Sequence, residues 1–249
     1  MTPRRLAVNG IQLNVLDAGS GPAVLLLHGF PDSHRVWRHQ APALLEAGMR
    51  VIAPDLRGFG DSDRPAEIDA YGLMNSVQDL TALLDVLSVP RAHVICHDFG
   101  AGVGWLLASM HPDRVDRFAA LSVGHLNAMR QCGLDQRAMS WYMLLFQFDG
   151  VAEDLLRKHD WAFLREWGRH HSEAENWIAD LSRSGALTAA LNWYRANQHP
   201  RRLLAPPVLL PKVGAPTLSI WSSGDVYLGE AQVIRTREFV HRLLAVRTD

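Results

Sequence analysis

Cysteine is scarce in this chain of 249 residues. The two present, Cys96 and Cys132, lie far apart and show no metal-ligand spacing, which argues for a reduced, intracellular setting. Charge of one sign is not in excess either: 25 basic residues face 26 acidic ones, for a net charge of -1. Without a basic surplus, binding to nucleic-acid phosphates has no electrostatic support. No apolar run approaches the roughly 20 residues that a bilayer-spanning helix needs. Two arginines, Arg4 and Arg5, stand near the start, but no apolar stretch of a secretory leader follows them. Repeats and low-complexity tracts are lacking too. These absences lead to the expectation of a cytoplasmic protein with neither a nucleic-acid nor a membrane partner.

What is present is an ordinary globular composition, 48% hydrophobic and 20% charged, on a chain long enough to bury a sizeable core. Short apolar runs alternate with longer amphipathic segments, the rhythm of a mostly parallel sheet covered by helices. Residues 6–8 and 12–16 read as a hairpin turning at Asn9-Gly10. Residues 23–27, 50–53, 93–96 and 118–123 read as buried strands, and 36–47, 73–87 and 102–111 as helices with an apolar stripe. From 126 to about 204 the chain is rich in Trp, Leu, Ala, Arg and Glu at helical spacing, with no convincing strand. Pro206-Pro207, Pro211 and Pro216 then break the helix. Residues 217–221 return to a strand, and a last helix is expected from 229 to about 244. The organisation expected is a core over 1–125, a helical insertion over 126–205 and a return to the core over 206–249.

The decisive segment is His93-Val-Ile-Cys-His-Asp-Phe-Gly-Ala-Gly102. A β-rich run ends, a reactive carboxylate follows, and small residues open a helix. That is the strained strand-to-helix turn that exposes a nucleophile, here Asp98. Standing alone, such an Asp is more often a helix N-cap. Its context favours the nucleophile. Leu27-His28-Gly29-Phe30-Pro31 follows an earlier strand, where a loop can aim backbone N–H groups at a developing oxyanion. In the α/β-hydrolases, which these two motifs resemble, such donors stand at the positions of the Phe30 and Phe99 backbones. Pro54-Asp55-Leu56-Arg57-Gly58-Phe59-Gly60-Asp61-Ser62 follows the next strand and is as readily a polar turn as a part of the chemistry.

These motifs, in this order, resemble those of the α/β-hydrolase superfamily, and His97-Asp98-Phe99-Gly100-Ala101 resembles the elbow of the epoxide hydrolases in particular. The resemblance runs from about Val8 to Val240 and implies an α/β fold with a helical cap over the site. It makes the segment beginning at Tyr142 and the segment Leu191-Asn192-Trp193-Tyr194-Arg195 the bearers of two ring-opening tyrosines, out of only four tyrosines in the chain. It makes Asp225, in Trp221-Ser-Ser-Gly-Asp225, the triad acid, and gives His28 and His97 supporting places. It implies no cofactor and no metal, a small apolar epoxide as substrate, and admits a homodimer. The family also places a triad histidine after one further strand and before a closing helix. That strand and helix are not expected here, and His241, near the end of the expected last helix, reads as a surface residue. His125 is the nearest substitute base by sequence position.

The chemistry implied is consistent with the residues. A carboxylate is ionised at neutral pH without help and can attack a carbon electrophile to form an ester. Tyrosine hydroxyls can protonate the ring oxygen as it leaves. Hydrolysis of the ester needs an activated water, so with the triad histidine absent the ester is expected to accumulate and turnover to be in doubt. A haloalkane or haloacid dehalogenase of the same fold is the second reading; it would usually carry a Trp or Arg beside the nucleophile, where Phe99 stands. A form that binds ligands without turning them over is the third.

Overall fold

The computed structural model describes residues 2–204 and 209–249. The chain opens with the hairpin of β1 (Arg4–Val8) and β2 (Ile11–Ala18). Asn9 and Gly10 both take positive φ, 43° and 80°, as a two-residue hairpin turn demands. β3 (Ala23–Leu27), β4 (Arg50–Pro54), β5 (Ala92–His97), β6 (Val115–Leu121), β7 (Thr217–Ser222) and β8 (Leu243–Thr248) complete an eight-stranded sheet in the order β1-β2-β4-β3-β5-β6-β7-β8. Only the first two pairings are antiparallel. β3 and β4 are covered on both faces and so are apolar at nearly every position rather than alternating.

Helices α1 (Gln40–Glu46), α2 (Leu73–Val86) and α3 (Phe99–Met110) cover the sheet. α3 is buried from Phe99 to Ser109, and its Trp105 packs on Phe118 of β6 and donates its indole N–H to Val123. The strand order reverses between β3 and β5. Loops leaving the carboxyl ends of strands at such a point border a crevice. Here they are the loop beginning at His28 and the elbow at Asp98.

Between β6 and β7 the chain forms α4 (Leu126–Arg130), α5 (Leu134–Met139), α6 (Trp141–Leu145), α7 (Val151–Trp167), α8 (Ala174–Leu181) and α9 (Ala186–Asn197). α7 is broken at 158–161, where the backbone leaves the helical region. The segment is pinned to the core by indole and amide hydrogen bonds: Trp193 to the Arg57 carbonyl, Trp177 to the Asp32 carboxylate, and Asn197 to Tyr71 and Leu73. Pro206-Pro207 lies outside the described residues. Among the described residues no helix is long and apolar enough to cross a membrane, and no group of three or more His, Cys, Asp and Glu could hold a metal ion.

The C-terminal part differs from its sequence reading. The helix expected over 229–244 ends early: α10 spans Glu230–Arg235, a short 3-10 turn covers Thr236–Phe239, and Val240 is already extended. The strand judged missing is present as β8, running parallel to β7. Two features misled the periodicity. Thr236 is buried and turns its hydroxyl back onto the Gln232 carbonyl, a bond that competes with continued helix. β8 is an edge strand with mostly exposed residues, and its short apolar run, Leu243-Leu244-Ala245-Val246, also continues a helical stripe, so it does not stand out as a strand. His241 is exposed as expected, but on the extended approach to β8 rather than on a helix.

Candidate active site

Asp98 stands between β5 and α3 with φ 51° and ψ −124°, a conformation that L residues rarely adopt. Its surroundings are shaped to allow this. A Cβ on Gly29 would lie 2.3 Å from the Asp98 Cβ, and one on Gly100 would lie 2.4 Å from the carbonyls of Leu27 and His28. Both positions therefore require glycine. Cys96, larger than the usual flanking residue, fits because its sulfur lies over Gly104.

The Phe30 N–H donates to Asp98 Oδ1 at 2.8 Å. Phe99 is the first residue of α3, so its N–H has no partner within the helix. His28 is fully buried below. Its Nε2 accepts the Leu56 N–H at 2.9 Å, so Nδ1 carries the proton and donates to the Gly29 carbonyl at 3.0 Å. Burial lowers its pKa and keeps the ring neutral. His28 thus ties the Phe30 loop to the loop after β4. In that second loop Asp55 is buried and accepts from His34 and from the N–H of Asp61, which makes it an organiser of the turn. His97 is half-buried, close enough to Asp32 to favour that carboxylate's ionised form against burial, which raises the Asp32 pKa.

The helical segment places two tyrosines near Asp98. Tyr194 on α9 sets its ring edge-on against Phe99 at 4.6 Å between centroids and against Phe30 at 5.4 Å. Tyr142 on α6 meets Tyr194 at 5.9 Å. The two are 3% and 1% exposed, respectively. Burial, reinforced by the Asp98 charge, raises both hydroxyls well above the ordinary tyrosine range. Both stay protonated. Among the described residues neither hydroxyl hydrogen-bonds a protein group. The other two tyrosines behave differently, with Tyr71 donating to the Pro65 carbonyl and Tyr227 to that of Trp167. Tyrosines with buried rings normally turn the hydroxyl to a partner, so two without one, both feeling the Asp98 charge, leave donors free for a ligand oxygen.

Asp225 follows β7. Its Oδ1 accepts the N–H groups of Tyr227 and Leu228, both at 2.9 Å, which closes a local turn. Its charge is felt at Tyr142. Gln136 of α5 steadies this loop by bonding the Tyr227 carbonyl and the Gly229 N–H. No described histidine hydrogen-bonds Asp98 or Asp225. His125 is buried and stacked on Phe239, it caps α4 through Nδ1, and its Nε2 faces Ser109.

Several residues at the site escaped the sequence reading. Tyr227 and Trp167 pack on Tyr142, and Phe146 packs on Phe30 and Tyr194. Helical spacing within 126–205 marks Phe146 and Trp167 as apolar but does not say which face looks toward Asp98, and Tyr227 stands in the loop after β7, where no periodicity applies.

A family model described as alpha/beta hydrolase fold matches residues 22–239. The chain belongs to that family. Among curated relatives, AB hydrolase superfamily protein YfhM of Bacillus subtilis is 38% identical over 201 residues, covering 76% of this chain and 70% of the relative. Epoxide hydrolase A of Mycobacterium tuberculosis is 35% identical over 239 residues, covering 78% and 73%. The crystal structure of epoxide hydrolase A from Mycobacterium thermoresistibile superposes with a TM-score of 0.84 at 30% identity, over 100% of this chain and 91% of that one.

Proposed function

We propose that this chain opens small apolar epoxides by covalent catalysis, with Asp98 as nucleophile and the helical segment over 126–205 as a cap. What carries the reading is the pair of hydroxyls on the otherwise buried side chains of Tyr142 and Tyr194, which bond no described group and lie near a carboxylate held by the Phe30 N–H at 2.8 Å. An Asp98 oxygen attacks a ring carbon, the carbon–oxygen bond of the ring breaks, and an ester forms. The departing oxygen takes a proton from one tyrosine while the other hydrogen-bonds it. The apolar walls built by Phe30, Phe99, Phe146 and Trp167 fit a hydrocarbon substituent. Being related to named epoxide hydrolases supports the same substrate class.

Ester hydrolysis adds water to the ester carbonyl and returns the carboxylate. The N–H groups of Phe30 and Phe99 would hold the oxyanion, and Asp225 would orient a base. Because no described histidine bonds either carboxylate, these 249 residues are expected to complete the first step and stall at the second. Incubation with styrene oxide tests the reading. Asp98→Ala should lose all covalent labelling, and labelling that persists at the original rate would refute it.

A further inference from the structure

Tyr142 and Tyr194 sit on different helices, so the spacing of their hydroxyls depends on what joins α6 to α9. Three side chains join them. Gln147, just past α6, donates through Nε2 to the Met143 carbonyl at 2.9 Å and to the Tyr194 carbonyl at 3.2 Å. Arg195, the residue after Tyr194, is buried and forms a two-pronged pair with the buried Glu153, at 2.9 and 2.8 Å. Arg195 also donates to Asn192 at 3.0 Å and lies 3.2 Å from Asp149. Glu153 accepts in addition the Gly150 N–H at 3.0 Å, closing the first turn of α7. The charges thus bind α9 to the turn that leaves α6.

Stability does not account for a buried ion pair, since well-packed apolar residues often serve as well or better. What two parallel hydrogen bonds give is a fixed orientation. We propose that Glu153, Arg195 and Gln147 are positioning residues that hold the Tyr142 and Tyr194 hydroxyls at the separation needed to reach one epoxide oxygen. This rests on the reading of the site proposed above.

The test is the rate of covalent labelling by styrene oxide, followed by intact mass across a range of concentrations. Arg195→Met and Glu153→Gln should each slow labelling at saturation by about 10-fold or more, since small misplacements of reacting groups carry costs of that size. The half-saturating concentration should move by less than about 2-fold, and Arg195→Lys should recover part of the rate. Combined with Tyr194→Phe, Arg195→Met should add no more than about 2-fold, because its effect acts through a hydroxyl already removed. Losses that multiply would overturn the inference, as would labelling by Glu153→Gln and Arg195→Met at the original rate. Should Arg195→Met not fold, Glu153→Gln, nearly the same shape, carries the same comparison. If Tyr194→Phe alone labels at the original rate, the reading of the site falls and this inference with it.

Discussion

At the scale of single residues, the site is built on a strained aspartate and two tyrosines whose hydroxyls bond no described group. Strain of the kind seen at Asp98 costs about 1–3 kcal/mol and persists only where the surroundings enforce it. Gly29 and Gly100 allow it by lacking side chains. Gly29→Ala should therefore displace Asp98 and suppress labelling while the far-ultraviolet circular dichroism spectrum is retained; full labelling by that variant would contradict the steric argument. Unlike Tyr71 and Tyr227, these two tyrosines have hydroxyls that bond no described group. Tyr142→Phe and Tyr194→Phe should each slow ring opening by on the order of 10²-fold, and the double change should nearly stop it. Stopped-flow or quenched mass measurements decide this, and an unimpaired double variant would leave dehalogenation as the better reading. Much of this was legible in the sequence, because Asp98, the Phe30 loop and Asp225 each follow a strand at a recognisable turn. Trp167, Glu153 and Arg195 were not, since nothing local says which face of a helix meets a distant group, and neither was Tyr227, in a loop whose path is set by tertiary contacts.

At the scale of elements, the buried strands announce themselves and the edge does not. β3 and β4 are short, apolar and bounded by Gly or Pro, so their positions follow from burial on both faces. β8 has only two half-buried positions, Leu243 and Ala245, and its residues also fit a helical stripe. What decides between the two is tertiary: the free edge of β7 accepts a parallel neighbour from Thr217 to Ser222. Removing residues 243–249 should expose that edge and cost about 2 kcal/mol or more, lowering the thermal midpoint by roughly 4–8 °C in a chain of this size. Scanning calorimetry checks it, and an unchanged midpoint would show β8 to be dispensable. The connections of 126–205 to the core are of the same kind. Their anchors, Trp177 on Asp32 and Trp193 on Arg57, pair residues far apart in sequence that no local pattern links.

At the scale of the whole molecule, two buried histidines make stability depend on pH. Burial lowers the His125 pKa from 6.5 to about 4, and it lowers that of His28 as well. The unfolded chain binds protons at these rings below about 6.5, whereas the folded chain refuses them until a lower pH. Stability is therefore fully present above about pH 6.5 and declines as the pH falls toward 4. Urea midpoints should drop between about pH 7 and pH 5, and a flat profile would contradict the burial of these rings. The same scale decides the chemistry, because alkylation and hydrolysis draw on different parts of the fold. In the proposed mechanism Asp98, the Phe30 N–H and the tyrosines serve the first. His28 is locked between two loops and His125 behind α4, so neither is placed for the second. The intact mass of the 249-residue chain after prolonged incubation with styrene oxide tests this most directly. One substrate mass added per chain, located on Asp98 and persisting after the free epoxide is removed, is the predicted result. Steady diol formation by a chain whose mass remains unmodified would contradict it.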